Sequence, residues 1–92
     1  MSKYWVVNEC PTKSYKEIGE AAAAINEVRK GIAADVYMML WGYAEQFPLE
    51  YDDTTDAGRF FDIGINALND MGFIEIGGEC EDDDYKMIWI VK

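Results

Sequence analysis

The chain has 92 residues, half of them apolar, with three Trp, six Tyr and four Phe, and 18 acids against 8 bases give a net charge of −10 with no histidine. A chain of this length makes one domain, here residues 1–92, with one modest core, and its aromatic content excludes a disordered acidic tail. The charge argues against direct binding to nucleic acid, whose affinity comes largely from Lys and Arg neutralising phosphates, and against docking on anionic lipid.

Lys3 to Asn8 reads as a strand, because Tyr4, Trp5, Val6 and Val7 are strand formers and Pro11 prevents a long continuation. The N-terminus has no sustained apolar run of the kind a signal peptide needs. Val36 to Ala44, the longest uncharged apolar stretch, is too short to span a bilayer. A cytoplasmic location is therefore expected, with Cys10 and Cys80 reduced. Ser14-Tyr15-Lys16-Glu17 fits a capping box and starts the first helix. Ile18, Ala22, Ile25 and Val28 follow at helical spacing, and Gly31 suits the cap that ends it.

A second helix is expected from about Ile32 to Phe47, with an apolar stripe of Ile32, Val36, Met39, Leu40, Tyr43 and Phe47. The stripe is in phase with Val28, so one long helix kinked near Gly31 is the alternative. Pro48 ends the segment, and Leu49 to Thr55 reads as a polar connection. A third helix spans about Thr55 to Met71, with Ala57, Phe61, Gly64, Ile65 and Leu68 on one buried face and Gly72 as its C-cap. Phe73 to Ile76 and Tyr85 to Val91 are strands, joined by a loop from Gly77 to Asp84. The fold class is α+β, in the order β-α-α-α-β-β, with three helices on a small antiparallel sheet.

Charge is segregated along this order. Glu45 to Asp84 holds thirteen acids against Arg59 alone, a net of −12, whereas residues 1–44 hold five acids and five bases. The candidate partner-binding residues are Glu50, Asp52, Asp53 and Asp56 at the third-helix entrance, Asp62 and Asp70 along that helix, and Glu79, Glu81, Asp82, Asp83 and Asp84 in the loop. Such a surface favours basic partners. The opposing reading is that acidity serves solubility alone.

Other chemistries fit less well. Without histidine the usual proton shuttle and the Ser–His and Cys–His pairs are absent, so no enzyme is expected. Asp82-Asp83-Asp84 lacks the alternating acids, central Gly and closing Glu of a calcium loop. Cys10 and Cys80, with no His and no CxxC, do not make a zinc site. No metal or cofactor is expected. Val36 to Tyr43 is apolar nearly all round, beyond a one-sided stripe. It reads as a core helix, with Tyr37 and Trp41 as candidates for a homodimer contact.

The order of three helices and a hairpin resembles a winged helix, a likeness that covers only residues 55–91, the third helix and the hairpin, with Leu68 to Ile76 at the passage from third helix to wing. The electrostatics depart from that family: a DNA-reading helix carries cations or amides for phosphates and bases, whereas this one carries Asp56, Asp62 and Asp70 against Arg59. Carboxylates where a DNA binder bears cations suggest a DNA mimic. In size and acidity, with Asp52-Asp53, Asp56 and Glu79 to Asp84 as main carriers, the chain resembles the small phage counter-defence proteins, in particular the anti-restriction family of T-even phages (the Arn family). That resemblance implies a dimeric DNA mimic that occupies the DNA-binding site of a modification-dependent restriction endonuclease such as McrBC. Anti-CRISPR proteins share the same character and point to a CRISPR effector as the other target class. A protein-binding adaptor or transcription regulator on a winged-helix-like scaffold is the alternative function.

Overall fold

A computed structural model describes residues 2–10, 12–29, 31–42, 45–52, 54–79 and 86–91. Seven elements follow in order: β1 (Ser2–Asn8), α1 (Tyr15–Arg29), α2 (Ile32–Gly42), β2 (Glu45–Tyr51), α3 (Asp56–Met71), β3 (Ile74–Glu79) and β4 (Lys86–Ile90). The six expected elements are present in the expected order, and the architecture is α+β. Helices α1 and α2 are separate, parted at Gly31, whose φ of +90° no other residue type adopts readily. Ser14 Oγ accepts the Glu17 N–H at 3.2 Å, which is the first half of the expected capping box.

Two expectations are corrected. The first concerns Leu49 to Thr55 and the end of the second helix. The helix stops at Gly42, and Glu45–Tyr51 forms a strand, β2, paired antiparallel with β1. Pro48 does not forbid this, because β2 lies at the sheet edge, where a missing N–H is tolerated. The second concerns the sheet, which is mixed rather than antiparallel. Its order is β2-β1-β4-β3, with β1 and β4 running parallel at the centre. The β1–β4 pairing makes it mixed, since β2 and β3 both add to it antiparallel. Since β2 and β3 each run antiparallel to a member of that parallel pair, they are parallel to each other. Helix α3 is thus a crossover between parallel strands at opposite edges of the sheet.

Alternation along the strands divides the sheet into two faces. Tyr4, Val6, Leu49, Ile74, Ile88 and Ile90 form one core with Ile25 of α1, Val36, Tyr37 and Leu40 of α2, and Phe61, Ile65 and Leu68 of α3. The opposite phase carries Trp5, Val7, Met87 and Trp89, all half-buried. Trp89 lies over Gly77, where a Cβ would run into its indole ring. Val36 likewise sits against Gly64, which lets α2 and α3 approach closely. The smallest extent of the molecule, 19 Å, is that of one sheet with one helical layer. The hairpin compared above with a wing is not an appendage, because β4 is a central strand with Ile88 and Ile90 fully buried.

Candidate protein-binding surface

Among the described residues the acidic segment is the β2–α3–β3 crossover. Glu45 and Glu50 are positions of one edge strand, and Glu75 and Glu79 are positions of the other; Glu79, expected in the loop, is thus the last residue of β3, in register with Lys86. Asp52, Asp56, Asp62 and Asp70 belong to the turn and helix that connect them. Asp53, Glu81, Asp82, Asp83 and Asp84 lie outside the described residues.

The turn into α3 is built by Asp52. Its Oδ1 accepts from the Thr54 hydroxyl at 2.6 Å and from the Thr54 N–H at 2.9 Å. Its carbonyl accepts from the Thr55 hydroxyl at 2.8 Å and the Thr55 N–H at 3.2 Å. The side-chain and backbone hydrogen bonds from Thr54 hold the Asp52 carboxyl below its ordinary value of 3.8, against a small opposing effect of desolvation. Asp52 is therefore an exposed, ionised carboxylate on an ordered turn. Thr55 caps the helix: with φ −87° and ψ 158°, its hydroxyl accepts the Gly58 N–H at 3.0 Å. At the other end Gly72, at φ +79°, and Phe73 return their N–H groups to Asn69 and Leu68.

Along α3 the acids differ in setting. Asp56 is fully solvated and pairs with Arg59 at 2.7 Å. Asp62 is half-buried, and its carbonyl accepts from the Asn66 amide at 3.0 Å. Asp70 is exposed. Helical geometry separates the three by about 9 and 12 Å along the axis and turns Asp62 about 120° away from Asp56. Successive phosphates of a DNA strand advance by only about 3.4 Å. On its own, α3 does not present a phosphate-spaced row; such a row needs the flanking strands and turns as well.

Two residues of this surface went unremarked in the sequence. Phe60 and Ile63, 37% and 55% exposed, stand on the outward side of α3 among its acids. Their signal was present as a second apolar stripe, offset from Phe61, Ile65 and Leu68. Conversely, Met39, expected in the buried stripe of α2, is 44% exposed.

The expected homodimer contact is corrected at Tyr37. Its side chain is fully buried, edge-on to Trp41 at 6.1 Å and to Phe73 at 5.8 Å between ring centroids, so it has no surface to offer a second copy. Trp41 is half-buried against the core, with Lys13 Nζ 5.7 Å from its ring centroid. Tyr37 Oη and Trp41 Nε1 have no hydrogen-bond partner among the described residues. Cys10 is a free thiol directed at the Val91 carbonyl, 3.6 Å away.

Among the described residues no group of three or more Cys, Asp or Glu side chains is placed to hold a metal ion, and no helix is long and apolar enough to cross a membrane. No family model, curated protein or solved structure matches the chain.

Proposed function

We propose that this protein is a DNA-mimic inhibitor, which occupies the DNA-binding site of a basic nucleic-acid-binding protein and excludes DNA by competition. A nuclease of host defence is the favoured target: a restriction endonuclease of the McrBC kind first, a CRISPR effector second. The observation that carries this reading is the concentration of a net −12 between Glu45 and Asp84; within that segment β2, α3 and β3 form a crossover between the two sheet edges. Support also comes from the ordered turn at Asp52, since a carboxylate already fixed loses less entropy on docking than one on a flexible tail. Association driven by such a field is fast and falls with ionic strength.

A second reading, a protein-binding adaptor, draws its support from the exposed Phe60 and Ile63. The two part company in one experiment. The tagged protein is used to capture partners from nuclease-treated bacterial lysate, which are then eluted by salt. A mimic's partner is a DNA-binding enzyme that leaves at moderate salt and is displaced by added duplex DNA. A partner that stays through high salt and ignores duplex DNA sinks the mimic reading in favour of the adaptor.

A further inference from the structure

We infer that the outward face of α3 is a docking helix for a partner protein whose receiving surface combines an apolar groove with a basic rim. Helix α3 is amphipathic twice. Phe61, Ile65 and Leu68 anchor it to the core. On the other side Phe60 and Ile63 are exposed, and Ala67, half-buried where it packs against the core, lies in line with them. Positions 60, 63 and 67 have the i, i+3, i+7 spacing with which a helix sets an apolar stripe into a groove. At 100° per residue they fall within a stripe about 60° wide. Asp56 and Asp70 flank the two ends of that stripe, about 21 Å apart along the axis. Single exposed apolar side chains are ordinary on protein surfaces. Here the spacing and the flanking acids occur together, on a helix whose folding face is already filled.

Charge complementarity selects the occupant. Arg59, the one base between Glu45 and Asp84, is paired with Asp56, so those two charges cancel and the net charge beside the stripe is the negative charge of Asp70. A second copy of the chain would set one net charge of −10 against another. Nucleic acid offers neither a positive rim nor a groove suited to Phe60 and Ile63. A protein groove with an apolar floor edged by Lys and Arg satisfies both requirements. This goes beyond the mimic reading, which needs only charge, and it holds whether or not the partner binds DNA.

The test uses the whole chain, isotope-labelled for NMR, with two synthetic peptides of equal length and equal positive charge. One peptide carries Leu at i, i+3, i+4 and i+7 among Lys and Arg; the other carries Ser at those positions. At near-physiological salt the Leu peptide should bind about tenfold tighter or more, with amide shifts concentrated between Arg59 and Asp70. The double variant F60S/I63S should keep its melting transition and lose the preference for Leu, and I63Q alone should lose part of it. Equal binding of the two peptides, or a preference that survives in the folded double variant, overturns the proposal. So do shifts centred on the Trp5 and Trp89 sheet face, and so does concentration-dependent self-association through α3. Failure to find a partner displaced by duplex DNA would remove the mimic reading and leave this result untouched.

Discussion

At the scale of single residues, two positions make definite demands. Gly64 is the contact point of α2 and α3: a Cβ there would come within 2.6 Å of the Val36 Cβ, closer than packed carbons approach. Gly64→Ala should therefore destabilise the fold by about 1–3 kcal/mol, measured by chemical denaturation. Combining it with Val36→Ala should cost less than the two single changes summed, because the second makes room for the first. Asp52 makes a demand of a different kind. Its carboxyl titrates below the ordinary 3.8 because Thr54 donates to it twice. A depressed folded value means that the stabilisation is complete above the ordinary carboxylate value and is lost as pH falls through the lower, folded one. Thr54→Val removes the hydroxyl and leaves the N–H, so the Asp52 titration followed by NMR should move part of the way back up. An unchanged titration would show that the hydroxyl does not hold the carboxylate.

At the scale of elements, α3 has to be held straight between two turns, and its caps do this. Thr55→Ala removes the acceptor for the Gly58 N–H and should cost about 1 kcal/mol of stability in a thermal or urea melt. The cap at Gly72 and the capping box at α1 were legible in the sequence because they are local chemistry: a Gly after the helix, a Ser and Glu three apart. Strand β2 was not. Tyr43 and Phe47 continue the apolar phase of α2, and Pro48 reads as a stop unless the segment is known to lie at an edge. The parallel pairing of β1 with β4 was not legible either, because no local signal reports a partner more than eighty residues away. For the candidate surface, the acids could be counted but not arranged. Phe60 and Phe61 are neighbours of equal hydrophobicity, and only the position of α2 and the sheet decides which of them is buried.

At the scale of the whole molecule, a net charge of −10 on 92 residues sets self-repulsion against one small core. Raising salt from about 0.01 M to 0.1 M shortens the screening length from about 30 Å to 10 Å, which falls below the size of the protein. Stability should rise by on the order of 1 kcal/mol, a shift of roughly 4–8 °C in Tm for a domain of this length. A Tm that fell with added salt would mean that the acids are internally compensated. The same salt should weaken capture of a basic partner, so folding and binding are expected to respond to ionic strength in opposite directions.

The central pairing of β1 with β4 also bears on how the chain is born. A ribosome delivers β1 first and β4 last, and at about 5–20 residues per second the interval is on the order of ten seconds. Through that interval β1 has only β2 to pair with, and its other edge, flanked by Trp5 and Val7, stays open. The sheet can close only once β4 has been made. A nascent chain stalled before Lys86 should therefore be a client for chaperones and a seed for edge-to-edge association.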